Sequence, residues 1–305
     1  MRSSRLQIKP GDLVLEVGSG NNPNPRSDIL CDRYLHDNSE RAGEFGIVID
    51  RPFVVADGYH LPFADKTFDY VIASHVLEHM SDPMAFVLEL ERVAHAGYIE
   101  TPSAVSERIF GWNFHHWFVA KRQGTLTLRK KTEGVKFGGF FHRLITQAVW
   151  FRRFFEENED RMYMKFEWQG NINITVNVSR EAGSRFARQQ TTEQQLRRLD
   201  QNAWRLLAAA KPDVYLDSVF FLSWIWRRVI RKIDKEVRRL SWRINTVFNK
   251  QGIMRQLTTM LACPECKGRL DFEKKTMRCS SCRRTYPVEG AIPVLLTPSE
   301  RKRGY

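Results

Sequence analysis

No apolar run in this 305-residue sequence is long enough to cross a bilayer; the longest strongly apolar stretch runs only from Val219 to Trp226. The N-terminus starts basic, with Arg2 and Arg5, but no apolar segment follows, so no secretory signal is expected and a cytoplasmic location is the default. Cysteine is scarce: there are 5, of which four cluster near the end and Cys31 stands alone. In a reducing compartment, clustered Cys-x-x-Cys pairs read as metal ligands before disulfides. Tryptophan is missing from the whole front third, all 8 lying between Trp112 and Trp242. Acidic residues are in short supply behind it. Residues 1–103 carry 9 Lys/Arg against 16 Asp/Glu, whereas the remainder carries 39 against 19. An acidic front and a basic back imply different tasks, and a basic surface favours phosphate-bearing partners: nucleic acid, anionic lipid or a phosphorylated small molecule.

What is present in the front third is an alternation of short apolar runs with helical patterns. Leu13–Val17, Ile29–Asp32, Val54–Asp57, Phe68–Ala73 and Gly97–Thr101 read as strands, with helical segments expected from about His75 and through Phe86–Val93. That order argues for a mostly parallel α/β sheet. Residues 104–165 are rich in aromatics and histidine and read as a substrate cap or insert. Thr125–Arg129 and Ile172–Val178 alternate as half-buried strands do and are expected as an antiparallel pair at the sheet edge. Thr192 and Gln195 are placed as a capping box, Pro212 breaks the pattern, and a second helix is expected over about Ser218 to Lys250. The expected organisation is a domain over 1–190, a basic helical connector over 191–255 and a small module over 256–305.

The sharpest feature of the front is Val14-Leu-Glu-Val-Gly-Ser-Gly20, a strand ending in an acid and a Gly-x-Gly turn. Glycine lets the backbone turn tightly and a ligand approach closely. The third glycine of the dinucleotide fingerprint is missing and Asn21-Asn-Pro23 stands in its place, which suits a ligand without phosphates better. Asp32 and Asp57-Gly58 end the second and third strands. Leu61-Pro-Phe63 and Phe68-Asp69 lead into the fourth, which ends at Ser74-His-Val-Leu-Glu-His79.

This order over residues 10–103 resembles class I S-adenosylmethionine-dependent methyltransferases, in particular the branch that includes the ubiquinone- and menaquinone-biosynthesis enzymes. The resemblance implies a Rossmann-like, seven-stranded α/β methyltransferase sheet. It also implies S-adenosyl-L-methionine as cofactor, with Glu16, Gly18, Ser19 and Gly20 around its methionine part, Asp32 at the ribose, Asp57 and Gly58 at the adenine, and Ser74 and His75 beside the methyl group. Only thirteen residues separate Gly18 from Asp32, so the first helix is expected to be very short or absent. Methyl transfer asks the protein mainly to align a nucleophile and exclude water. A base is needed only where the acceptor must lose a proton, and His75, His115 and His116 are the catalytic candidates, His79 reading first as a histidine that makes a packing hydrogen bond. The Asn/Asp-Pro-Pro-Tyr/Phe tetrapeptide of many amino-group methyltransferases is absent after the fourth strand, which weakens a nucleobase or protein amine as acceptor.

Cys263-Pro-Glu-Cys266 and Cys279-Ser-Ser-Cys282 form two knuckles separated by twelve residues, the pattern that brings four thiolates to one structural Zn2+. Lys267, Arg269, Arg278 and Arg283 are placed to help hold the thiolate charge. Residues 258–297, with Tyr286-Pro-Val-Glu-Gly-Ala-Ile-Pro-Val-Leu-Leu296, resemble the small zinc-binding proteins that pair with methyltransferases and activate them. That resemblance implies a C-terminal zinc ribbon that stabilises its partner and does no chemistry.

Between the two regions, Trp226, Ile230, Ile233, Val237, Leu240, Ile244 and Val247 recur every three or four residues among Arg and Lys. Three readings stand: a helix packed on its own domains, a homodimer seam over 226–247, or a helix lying on an anionic membrane at its inner face. The function expected is methyl transfer to a small molecule, glycan or lipid-linked intermediate. RNA methylation through the basic back half, and a non-catalytic cofactor-binding partner subunit, are the alternatives.

Overall fold

A computed structural model describes residues 6–37, 46–132, 138–178, 214–302 and 304–305. The apolar runs of the front third become strands β1 (Val14–Val17), β2 (Ile29–Asp32), β3 (Phe53–Val55), β4 (Phe68–Ser74) and β5 (Ala94–Pro102). Every residue of β1, β2 and β3 is buried, as expected of parallel strands covered on both faces. The sheet order is β3-β2-β1-β4-β5-β8, all parallel except β8 (Tyr163–Gln169), which runs antiparallel along β5. The order reverses between β1 and β4, the switch point where open α/β sheets bind ligands.

No helix separates β1 from β2; turns and bends cross residues 18–28, as the short spacing requires. After β4 a single 3-10 turn, Leu77–His79, leads to α1 (Pro83–Val93). Asp82 caps α1 by accepting from the Met84 and Ala85 amides, and Pro83 sits at the first turn, where its missing N–H costs nothing. The buried face of α1 is Phe86, Val87, Leu90 and Val93. Its opposite flank fastens a loop: Glu89 accepts from the Leu61 amide at 2.8 Å, and Arg92 donates to the Leu61 and Phe63 carbonyls.

Three expectations need correction. The large sheet has six strands among the described residues, not seven. Thr125–Arg129 and Ile172–Val178 do not edge it: they fall in β7 (Thr125–Lys130) and β9 (Ile174–Asn177), which join β6 (Trp117–Arg122) in a separate three-stranded sheet. Nor are they antiparallel; β7 and β9 pair parallel, with a long crossover that includes three helices and β8 between them in place of a tight turn. Alternation reports one buried face but says nothing about which partner strand supplies it. The helices described within the insert are α2 (Ala104–Phe110), α3 (Gly138–Gln147), α4 (Val149–Glu157) and α5 (Glu159–Met162). Phe110, Phe151, Phe155 and Met162 form its own small core.

The connector is one helix, α6 (Val214–Met260), of 47 residues and about 70 Å. It runs ten residues beyond the expected Lys250 end and crosses the expected boundary at 255. Thr192, Gln195 and Pro212 lie outside the described residues. Arg152 of α4 stacks over Trp224, Arg239 donates to the Ile47 carbonyl, and Leu257 is fully buried at the far end.

The C-terminal module is a four-stranded antiparallel sheet of β10 (Leu270–Glu273), β11 (Thr276–Cys279), β12 (Thr285–Glu289) and β13 (Ile292–Pro293), closed by α7 (Pro298–Arg301). It is docked on the large sheet. Val294 bridges Val55 in parallel and the Leu295 amide donates to the Val55 carbonyl. Phe63 bridges Leu261, and Ala262 donates to the Pro62 carbonyl. Leu61, Phe63 and Phe68 share one apolar cluster with Leu257, Leu270, Met277 and Tyr286.

Candidate functional site

The carboxyl ends of β1, β2 and β3 form one continuous wall. Gly18 and Gly20 both lie in the left-handed region, at φ +71° and +51°. A Cβ on Gly18 would stand 2.2 Å from the Val76 Cγ2, so position 18 admits no side chain. The turn is tied to the next strand by the Gly18 amide on the Cys31 carbonyl and the Gly20 amide on Asp32 Oδ2, at 2.8 and 2.9 Å. Asp32 also accepts from the Tyr34 amide through Oδ1. Asp57 accepts from the Tyr59 amide and pairs with Arg33, a cation the sequence reading did not single out. A Cβ on Gly58 would press the Phe86 ring at 2.9 Å. Ser19 is 4% exposed, and its hydroxyl has no hydrogen-bond partner. A buried polar atom left over in a glycine turn is the kind of group a polar ligand satisfies.

Glu16 does a different local job from its neighbours. Its Oε2 accepts from the Asn24 amide and the Ser27 hydroxyl, holding the loop that stands in for the missing first helix. Burial pushes its carboxyl up to about 7, against the pull of those two hydrogen bonds. Ser27 and Asn24 were invisible to motif reading, since their role follows from that missing helix.

On the other side of the switch point, β4 ends at Ser74, whose register partner on β5 is Glu100. His75 follows at φ +58°, a strained conformation for a non-glycine residue, fixed by its amide on the Glu100 carbonyl at 2.8 Å. Its ring reaches both carboxylates: Nδ1 lies 3.3 Å from Glu78 Oε1 and Nε2 3.7 Å from Glu100 Oε1. Burial pulls the His75 imidazole down, but the Glu78 hydrogen bond and the two acidic charges outweigh it and hold it above its ordinary value. Burial likewise raises Glu78, yet His75, then His79 and His115, hold it below the usual carboxylate range.

The three candidate imidazoles do not stand together. His115 is buried, with Nδ1 2.6 Å from Glu107 Oε2. His116 is exposed; only its backbone is fastened, to the Glu78 carbonyl through its amide and to the Lys131 amide through its oxygen. Structure puts His75 on Glu78 Oε1, brings a ring nitrogen of His115 within 4.8 Å of a Glu78 oxygen and leaves His116 exposed. Glu78, Glu100 and Glu107, each a buried acid paired with histidine, were missed because nothing in sequence spacing links residues 78, 107 and 115.

At the C-terminus the two knuckles repeat one backbone pattern. Cys263 donates to the Gly268 carbonyl and Cys279 to the Arg284 carbonyl, while the Lys267 and Arg283 amides return to the carbonyls of Cys263 and Cys279. Lys267 and Arg283 accordingly share a left-handed φ, +59° and +64°. The four sulfurs lie within 4.8 Å of one another, with Cys263–Cys282 at 3.7 Å and Cys266–Cys279 at 3.4 Å. A tetrahedral zinc with bonds near 2.3 Å needs sulfurs about 3.8 Å apart, so the set fits that ion. Lys267 does not serve the thiolates: it leaves the module to reach the Leu61 carbonyl and Glu89. Arg269 pairs with Asp271.

Comparison with known proteins follows this division. The family model described as a methyltransferase domain matches residues 30–99, and that of the Trm112p-like proteins matches 255–290. The demethylmenaquinone methyltransferase of Corynebacterium urealyticum is 36% identical over 95 residues, covering 30% of this chain and 41% of that protein. This chain therefore spans about two fifths of the length of such relatives. A UPF0434 protein of Vibrio vulnificus is 43% identical over 51 residues, 16% of this chain and 86% of its own length. The solved complex between the Haloferax volcanii Trm112 methyltransferase activator and a putative methyltransferase covers 55% of this chain and 86% of that one, at 14% identity and a TM-score of 0.33. That superposition is too loose to carry geometry across. The chain thus carries a methyltransferase-domain match over residues 30–99 of its parallel sheet and a Trm112p-like match over residues 255–290 of its C-terminal module.

Proposed function

We propose that this protein transfers a methyl group from S-adenosyl-L-methionine to an acceptor held under the 104–165 insert. The observation that carries the reading is the wall at the switch point: a left-handed Gly18–Gly20 turn with a buried, unsatisfied Ser19 hydroxyl, flanked by Asp32 and Asp57. In this reading the Gly18–Gly20 backbone and Ser19 receive the methionine part, Glu16 braces the turn from behind, Asp32 takes the ribose, Asp57 and Gly58 take the adenine, and Ser74 and His75 border the methyl group. The cofactor supplies an activated methyl and its own leaving group. The chain's residues hold it, exclude water and, for a hydroxyl acceptor, move a proton. His75 between Glu78 and Glu100 is the group placed to do that; His115 contributes through the same cluster.

The acceptor class is read from α6. Trp226, Ile230, Ile233, Val237, Leu240 and Ile244 are 48–66% exposed, an apolar stripe on a chain whose residues 104–305 are strongly basic. Among the described residues, packing on its own domains does not cover this face. An apolar stripe flanked by Arg and Lys fits an anionic membrane surface, with a lipid-linked or membrane-proximal acceptor. The four cysteines hold structural Zn2+ in this reading, since they leave no position open to water.

Calorimetry with S-adenosylmethionine and NAD side by side tests the cofactor: binding of the first alone is expected, and binding of neither sinks the proposal. A labelled-methyl screen of extract split into lipid, glycan, small-molecule and RNA fractions tests the acceptor. Label confined to RNA would replace the lipid reading, and cofactor binding without label in any fraction would leave a partner subunit.

A further inference from the structure

The single turn Leu77–His79 and the loop before β6 build a second cluster of donors beside the glycine turn. One ligand atom each from Glu78, His79 and His115 lies within 4.8 Å of the other two. Glu78 is 1% and His115 6% exposed. Glu78 Oε1 faces His75 Nδ1, but Oε2 is buried with no hydrogen-bond partner. Leaving one oxygen of a buried carboxylate unsatisfied is costly, which points to a missing cation or donor.

The surroundings are those of a ligating histidine. His115 Nδ1 sits 2.6 Å from Glu107 Oε2, and Glu107 is itself buried, with Lys131 on its other oxygen. A carboxylate on one ring nitrogen fixes the tautomer and frees the lone pair of the other, the arrangement that orients metal-bound imidazoles. His79 is clamped between rings, stacked on Phe114 at 5.4 Å and edge-on to His115 at 4.6 Å. Two backbone links make the two segments one frame: the His116 amide donates to the Glu78 carbonyl at 2.7 Å, and the Trp117 indole to the Met80 carbonyl at 2.6 Å.

We propose that Glu78, His79 and His115 form a divalent-cation site separate from the four-cysteine cluster, with Glu107 and Lys131 as positioning residues. Two imidazoles and a carboxylate suit Mn2+, Fe2+, Co2+ or Zn2+ and differ in kind from four thiolates. Val76, which packs on Gly18, lies in the same segment as Glu78 and His79, so the segment that carries two of the donors is packed against the glycine turn. Three protein donors leave coordination positions open, and those positions suit the oxygen atoms of a hydroxyl-bearing acceptor. That last assignment rests on the methyl-transfer reading, whereas cation binding does not.

The test uses the full chain with its cysteine cluster saturated with Zn2+, titrated with Mn2+ while free Mn2+ is followed by electron paramagnetic resonance. One further Mn2+ per chain is expected. His79→Ala and His115→Ala should weaken it by more than tenfold, Glu107→Gln by roughly tenfold, and His95→Ala, exposed and outside the cluster, not at all. Co2+ in the same site should give ligand-field bands without thiolate charge transfer. Absence of Mn2+ and Co2+ uptake by the wild-type chain up to millimolar concentration overturns the proposal, as does unaltered uptake in both histidine variants. Should His115→Ala fail to fold, the wild-type stoichiometry and Glu107→Gln still decide. S-adenosylmethionine calorimetry without added metal reads the cofactor separately, so either claim can fail alone.

Discussion

The Leu295 amide donates to the Val55 carbonyl at 2.8 Å, one residue from the parallel bridge between Val294 and Val55. Strand β3 is the edge of the large sheet, and an uncovered edge is a row of unpaired backbone groups. The C-terminal module covers that edge, and Val294, Leu295 and Leu296 are all fully buried. Losing the zinc should therefore be felt by the whole chain. Chelation, or Cys279→Ser, is expected to remove one zinc and lower the melting temperature of a single cooperative transition. Two separate transitions, with the large sheet unaffected, would show the module to be a passenger.

Gly18→Ala is expected to abolish S-adenosylmethionine binding. The added methyl meets Val76 at 2.2 Å and the backbone is held at φ +71°, a combination that costs about 1–3 kcal/mol and displaces the turn. Gly46→Ala has open space around it and an ordinary φ, and should bind as the wild type does. Calorimetry on both variants, with a thermal melt, separates lost binding from lost fold.

Glu16 gives stability a pH dependence. Its carboxyl keeps its proton up to about 7 in the folded chain, against an ordinary value of 4.5 when unfolded. Between those values the native state holds more protons, so stability falls as pH rises and the full deficit is present above about 7. Glu16→Gln should match the wild type near pH 4 and exceed it by roughly 3 kcal/mol near pH 8, less whatever its altered hydrogen bonds cost. Denaturant melts at both pH values measure this; a variant less stable at pH 8 contradicts it.

On α6, the double change Ile233→Glu with Val237→Glu lies on a face 58% and 61% exposed. The folded chain should lose under about 0.5 kcal/mol per site. Binding to phosphatidylglycerol vesicles should fall sharply in co-sedimentation. Unchanged vesicle binding refutes the membrane reading, and a dimer that becomes monomeric would assign the stripe to a second copy.

Strands β1 to β5 were legible because each is a short, largely apolar run, ended at β1, β2, β3 and β5 by or close to glycine, acid or proline, and burial on both faces permits little else. The absent first helix was legible as well, from chain length alone between Gly18 and Asp32. The edge of the sheet was not. Tyr163–Gln169 and Thr125–Lys130 alternate in the same way, and only the paths of α2 to α5 decide which of them lies along β5. His75 was singled out for its place after β4, while its partner Glu100 is twenty-five residues away and meets it only because β4 and β5 are parallel neighbours.

The sequence by itself determined the local chemistry: the glycine turn, the acids at the strand ends and the two cysteine knuckles. Each is set by spacing over fewer than about twenty residues, within reach of backbone geometry. Tertiary structure alone decided three longer-range matters: that the module seals the β3 edge, that the described residues leave the apolar stripe of α6 uncovered, and that Glu78, His79, Glu107 and His115 converge. Those depend on which surfaces meet once the sheet is formed, and the free energy of burying them is shared across residues that no local pattern connects.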